Sequence, residues 1–296
     1  MENNTKQCRR LIFMLALVVV SGCASKITQQ DTKSSALDFN DILWHALRAK
    51  AAYEKPDVIK RKFPNTVFIG KDKNKNIQYF VEKFHDKKLQ IISVRGTDNL
   101  KNFKQDADYI PAKDKRLDIY VHRGFDRDAR YVLNAVLPEL NRDYDVKVTG
   151  HSLGAAIASL LMIYLHEEGF TIKPSVNFGQ PKFTNKKGAN KYNFLPLLRV
   201  VNKNDMVPLV PPVTLLDSIH GKYVHFKPEV ILLKGAHYVY LDDHDASRIL
   251  PGSFWLNIGH ESVKDHSMDN YLADIETKLE NAVQIPYKDR EKYISK

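Results

Sequence analysis

The chain has 296 residues, 45 Lys and Arg against 35 Asp and Glu, a formal net charge of +10, and two cysteines. Cys8 and Cys23 both fall at the N-terminal end, so the remainder can form no intramolecular disulfide, and no Cys/His run has zinc spacing. The basic surplus reads first as a solvated basic surface, with attraction to an anionic membrane surface or envelope as the alternative. The lysines between residues 55 and 104 are scattered and build no nucleic-acid module, so no nucleic acid is expected as a partner.

In chain order, Lys6, Arg9 and Arg10 precede an unbroken apolar run over residues 11–20, followed by Val20-Ser21-Gly22-Cys23-Ala24. That run is too short for an ordinary transmembrane helix and suits a secretory signal. The small residues before Cys23 resemble a bacterial lipobox, which implies lipidation of Cys23. The alternative is a plain signal with an incidental cysteine. The expected organisation is a signal over 1–22, a lipidated Cys23 with a polar tether over 23–36, and one domain over 37–296. The expected location is the bacterial cell envelope, anchored to the membrane. Ala24 in place of aspartate favours the outer membrane of a Gram-negative cell.

Leu37, Ile42, Leu43, Ala46, Leu47 and Ala51 recur near helical spacing and predict a helix over 37–54. Strands follow over 66–70 and 77–84. Their joint, residues 71–76, begins like an EF-hand loop but lacks the glycine at its sixth position and has Lys83 where the bidentate Glu belongs, so it reads as a hairpin turn. Further strands are expected at 89–94, 119–122 and 145–149, with a helix at about 125–141. After these come a helix at 153–168, strands at 174–178, 197–202, 229–233 and 237–241, and a last helix at about 267–283. Strands alternating with helices predict an α/β fold, a mostly parallel sheet covered on both faces. In such folds ligands gather at the carboxyl ends of the strands.

Gly150-His151-Ser152-Leu153-Gly154 fits G-x-S-x-G. A β-branched strand (Val146, Val148, Thr149) enters it and a small-residue helix (Ala155, Ala156, Ala158) leaves it. A nucleophile elbow needs that context, because the glycines let strand and helix pass closely while the serine stays exposed on a strained turn. The helix N-terminus also favours the negative charge that develops in acyl transfer. The other reading is a glycine turn without chemistry.

Five stretches, in order, resemble the class 3 lipases related to the filamentous-fungal triacylglycerol lipases: "SVRGTDNLKNFKQD" (93–106), "VHRGF" (121–125), "VTGHSLGAAIASL" (148–160), "NFGQPK" (177–182) and "RVVNKNDMVPLVPP" (199–212). "DHSMDNYL" (265–272) is similar to the histidine segment of bacterial members. The resemblance implies an α/β-hydrolase fold and a lipid ester as substrate. It also implies hydrolysis through Ser152, Asp205 and His266, with a covalent acyl-enzyme. Order agrees, since this fold runs Ser…Asp/Glu…His. The residues alone leave His220, His225, His237, His244, His260 and His266 as candidates after Asp205. The acidic cluster over 237–245 is an alternative source of a base, or of a metal site.

Leu153 supplies one oxyanion donor by its place after the serine, and Thr97 a second by resemblance. Leu100, Phe103, Ala107 and Ile110 step by three, four and three, one apolar stripe on a short helix that Pro111 ends. It reads either as a lid over the serine or as an ordinary docked helix. The chemistry requires no metal or organic cofactor, and no obligate protein partner is inferred. Two rival functions are a phospholipase A1 or lysophospholipase, and a lipoprotein that binds acyl chains without turnover.

Overall fold

The computed structural model describes residues 37–72, 77–96, 110–203, 205–211, 220–226, 228–242 and 265–294. Helix α1 (Phe39–Ala51) starts where the Asp38 carboxylate accepts the Asn40 and Asp41 backbone N–H groups at 2.9 and 3.2 Å. Those donors have no partner within the helix, and Asp41 in the first turn with Arg48 and Lys50 in the last complements its dipole. Pro56 opens α2 (Pro56–Lys62), where its missing N–H is harmless.

Strands β1 (Thr66–Asp72), β2 (Ile77–Phe84) and β3 (Leu89–Val94) follow as antiparallel neighbours. Next come β4 (Pro111–Asp114), β5 (Ile119–His122), helix α3 (Arg123–Val136) and β6 (Asp145–His151), which feeds α4 (Leu153–Glu167). Strands β7 (Ser175–Phe178) and β8 (Thr184–Asn185) precede α5 (Lys186–Tyr192). Strands β9 (Leu197–Asn202), β10 (Tyr223–Val224), β11 (Glu229–Leu232) and β12 (His237–Leu241) precede α6 (Met268–Glu276) and β13 (Val283–Gln284).

The main sheet has the order β1-β2-β3-β6-β7-β9-β11-β12-β13. From β3 to β11 every neighbouring pair is parallel, as the alternation of strands and helices predicts.

Alternation along β6 sends its side chains to two different layers. Val146 and Val148 enter the main core with Ala156, Leu160 and Ile163 of α4. On the other face Lys147 pairs with Asp41 of α1 at 3.0 Å, and Thr149 donates to the Val176 carbonyl at 2.7 Å. Helix α4 is buried all round, which explains why its residues show no polar face. Parallel register between β9 and β11 is pinned by charge. Arg199 faces Glu229, with Nη2 2.8 Å from Oε2, and its Nε donates to the Phe226 carbonyl at 2.8 Å. Both side chains are almost fully buried, so removing either partner leaves a costly lone charge, on the order of 3–5 kcal/mol.

The structure departs from the expected elements at their ends. The last helix stops at Glu276 instead of continuing toward 283. Buried Lys278 donates from Nζ to the carbonyls of Asp274, Leu233 and Gly235 at 2.7–2.8 Å, which closes the helix and draws the chain back to the sheet. A second sheet, β10-β8-β5-β4, contains the expected strand over 119–122 as β5 and adds β4, β8 and β10, strands of two and four residues that are too short to show a period. Ile110, expected to close a helical stripe, instead leads into β4, with its carbonyl accepting from the Arg123 N–H at 3.0 Å. Pro111 begins a strand rather than only ending a helix. The EF-hand-like joint falls between β1 and β2, which pair as an antiparallel hairpin; residues 73–76 lie outside the described residues.

His45 of α1 is fully buried, and its Nδ1–H donates to the Asp41 carbonyl at 2.7 Å. Burial lowers its pKa to about 4, against partial opposition from the Asp41 carboxylate. The unfolded chain therefore binds this proton first as pH falls. Stability is fully present above about pH 6.5 and is lost toward pH 4, a contribution on the order of 3 kcal/mol. The urea midpoint is expected to hold steady above pH 7 and to fall between pH 6.5 and 4, with a shallower fall in His45→Asn. A midpoint that does not move over that window contradicts the burial argument.

Candidate active site

Ser152 sits between β6 and α4 with φ 58° and ψ −131°, a conformation that costs an L-residue of order 1–3 kcal/mol. The surrounding chain enforces it. A Cβ at Gly150 would meet the Gly154 carbonyl oxygen at 2.4 Å, and one at Gly154 would meet the Val94 carbonyl oxygen at 2.4 Å. Strand, turn and helix are thus in backbone contact. The Ser152 N–H donates to the Phe178 carbonyl at the end of β7 (3.0 Å), which fastens the turn to the next strand. Leu153 occupies the first turn of α4, where a backbone N–H has no acceptor within the helix.

Asp205 follows β9 and is buried. Three donors converge on its carboxylate. His266 Nδ1–H reaches Oδ2 at 2.7 Å, the Tyr271 hydroxyl reaches the same oxygen at 2.6 Å, and the Val207 N–H reaches Oδ1 at 2.9 Å. His266 stands just before α6, whose N-cap is Ser267; the Ser267 hydroxyl accepts from the Asp269 N–H at 3.2 Å. Asn202 Nδ2 donates to the Asp265 carbonyl at 3.2 Å, so the end of β9 holds both segments. Burial, then the Asp205 charge, pushes the Tyr271 hydroxyl well above its ordinary pKa, so it stays a donor.

His266 Nε2 and Ser152 Oγ are buried and find no hydrogen-bond partner among the described residues. An unpaired serine hydroxyl on a strained turn and an unpaired imidazole nitrogen, on a ring whose other nitrogen is held by a buried carboxylate, suit proton transfer.

The other candidate histidines that are described go elsewhere. His225 Nε2–H donates to the Pro208 carbonyl at 2.6 Å, His237 Nδ1–H donates to the Lys234 carbonyl at 3.2 Å, and the His220 ring lies 6.0 Å from Tyr120. Among the described residues no group of three or more His, Cys, Asp or Glu is placed to hold a metal. His244, His260, Thr97, Leu100, Phe103, Ala107 and Cys23 lie outside the described residues. Ile110 is described and half exposed. Two participants escaped the sequence reading. Tyr271 lies inside "DHSMDNYL" with no local sign of its partner, and His151 is a variable position in G-x-S-x-G.

Residues 91–215 match the family model described as Lipase (class 3). Over that segment the chain is similar to the class 3 lipases. It is 35% identical over 97 residues to Lipase ZK262.3 of Caenorhabditis elegans, covering 31% of this chain and 28% of that protein. It is 32% identical over 145 residues to the lipase of Rhizomucor miehei, covering 45% of this chain and 40% of that one. The chain thus spans less than half the length of these curated relatives. The crystal structure of a lipase from Rhizopus microsporus var. chinensis superposes with TM-score 0.59 at 21% identity, over 80% of this chain and 87% of that one. That likeness establishes the α/β-hydrolase fold.

Because the elbow depends on backbone contact, Gly154→Ala should force Val94 and Arg95 aside. The expected loss is about 1–3 kcal/mol, read as a lowered denaturation midpoint. An unchanged midpoint would show that the strand–helix contact is softer than the geometry implies.

Proposed function

We propose that the chain is a serine carboxylic ester hydrolase that cleaves acyl esters of lipids. The observation that carries this reading is the buried His266–Asp205 pair, closed by Tyr271, beside a serine held at positive φ. Ser152 Oγ attacks the ester carbonyl, and its proton passes to His266 Nε2. Asp205 holds Nδ1–H and so keeps the tautomer with a free Nε2, then stabilises the imidazolium that forms. The tetrahedral oxyanion meets the Leu153 N–H at the α4 N-terminus and the N–H of Thr97. Removal of one such donor typically costs about 10²–10³ in turnover. Collapse returns the proton to the leaving alcohol and leaves an acyl-Ser152, which water cleaves by the same steps in reverse roles. Ser152 Oγ and His266 Nε2 are not hydrogen-bonded to each other, and catalytic contacts of this kind tighten in the complex with substrate. The match of residues 91–215 to a lipase family model supports a lipid ester as the substrate class.

Native protein should react with a fluorophosphonate probe and hydrolyse p-nitrophenyl esters, and Ser152→Ala should abolish both. Asp205→Asn should lower kcat by roughly 10⁴ while the fold persists. Labelling that survives Ser152→Ala would sink the assignment.

The proposed location is the bacterial envelope, with Cys23 lipidated. The apolar run over 11–20 and the small residues before Cys23 support it. Full-length Cys23→Ser should leave the membrane fraction for the soluble one, whereas equal retention would remove the anchor.

A further inference from the structure

A polar chain behind the site ties its parts together, and its direction is set at both ends. The Gly96 backbone N–H donates to the Tyr53 hydroxyl oxygen at 3.1 Å. The Tyr53 hydroxyl lies 2.8 Å from His151 Nδ1, and His151 Nε2 lies 2.8 Å from the carbonyl oxygen of His266. A backbone amide can only donate and a carbonyl can only accept. The Tyr53 proton therefore points to Nδ1, and His151 carries its own proton on Nε2. We propose that Tyr53 and His151 are positioning residues, a fixed hydrogen-bond relay that holds the oxyanion loop, the nucleophile elbow and the proton-transferring histidine in one register. The proposal rests on the hydrolase reading above.

Each joint lies next to a working part. Gly96 precedes Thr97, His151 precedes Ser152, and the last acceptor is the peptide of His266 itself. Tyr53 is built in with care. Gln78, buried at 1% exposure, donates from Nε2 to the carbonyls of Ala52 and Glu54 at 2.8 and 2.7 Å, clamping the backbone on both sides of Tyr53. The Gln78 carbonyl accepts from the Arg95 N–H at 2.9 Å, so the same residue fixes the approach to Gly96. A Cβ at Gly96 would meet the Tyr53 oxygen at 2.5 Å and the His151 carbonyl oxygen at 2.6 Å, which shows how closely the three segments are drawn.

The His151 ring lies 4.4 Å from the His266 ring at 35°. A charge on His151 would oppose the imidazolium that His266 must become. Burial, then the neighbouring His266, holds the His151 pKa well below its ordinary value. Tyr53 donating to Nδ1 occupies the site a second proton would take.

The test uses full-length protein, p-nitrophenyl butyrate, thermal unfolding and ¹⁵N NMR of the imidazoles. Tyr53→Phe keeps the ring and loses both bonds. Its kcat should fall about tenfold to a hundredfold, with KM within about twofold and the melting temperature nearly unchanged. His151→Phe should act alike, and the double variant should be little slower than the worse single, because one relay is broken once. In wild-type protein His151 should appear as the neutral Nε2–H tautomer. An Nδ1–H tautomer, multiplicative losses, or an undiminished kcat in Tyr53→Phe overturns the relay alone. Wild-type protein without Ser152-dependent turnover overturns the hydrolase reading and, with it, the purpose of the relay.

Discussion

The close passage of β6, the Ser152 turn and α4 is the constraint on which the site depends. A serine at φ 58° relaxes unless its neighbours leave no alternative. Here they leave none, because backbone at Gly154 lies against the Val94 carbonyl at the end of β3 and the Arg95 carbonyl just after it. The core supplies the force. Helix α4 buries Ala155 through Leu165 against β3, β6 and α3, and each large apolar side chain in that layer contributes about 1.5–3 kcal/mol. Packing of ordinary hydrophobic kind is thus what holds an unfavourable turn in place. The strain is local and the compensation is distributed over the domain.

The opposite face of the same strand has a different chemistry. Even positions of β6 enter an apolar core, while Lys147, Thr149 and His151 meet polar groups from α1, β7 and the segment before α6. One strand therefore works on two layers at once, stability on one side and alignment on the other. Period two makes that division possible, since adjacent residues cannot share a face. The buried Arg199–Glu229 pair adds alignment of a second kind. It locks β9 against β11, and β9 leads directly to Asn202 and Asp205. A one-residue slip there would bury unpaired charge, so the register that delivers Asp205 is strongly preferred.

His266 is delivered by the last helix, whose exit is determined far from the site. Lys278 sits on the carbonyls of Leu233 and Gly235 as well as that of Asp274. The helix that positions His266 and Tyr271 is thereby attached to the turn between β11 and β12. Burial lowers the Lys278 pKa to about 8, which is the cost of placing an ammonium among carbonyls, and three short bonds offset it.

Much of this architecture was legible in the sequence. Apolar runs broken by polar and turn residues located the strands from 77 to 94 and from 145 to 202, and an alanine-rich apolar stretch the helix after Ser152, to within a residue or two at most ends. These signals are local, carried by mostly apolar side chains in elements buried on almost every side. The elbow was legible too, because a glycine pair around a serine between a strand and a helix is a covalent, short-range pattern. Asp205 and His266 emerged through chain order and family resemblance, and only the fold joined them, across 61 residues, at 2.7 Å. Tyr53, Gln78, Tyr271 and Lys278 carry no local mark at all. Their roles are hydrogen bonds between segments tens of residues apart, and a sequence does not record which distant backbone carbonyl a side chain will meet. Hydrophobic pattern determined the layers and the turn; only the closing of those layers in three dimensions decided which polar atoms stand opposite one another.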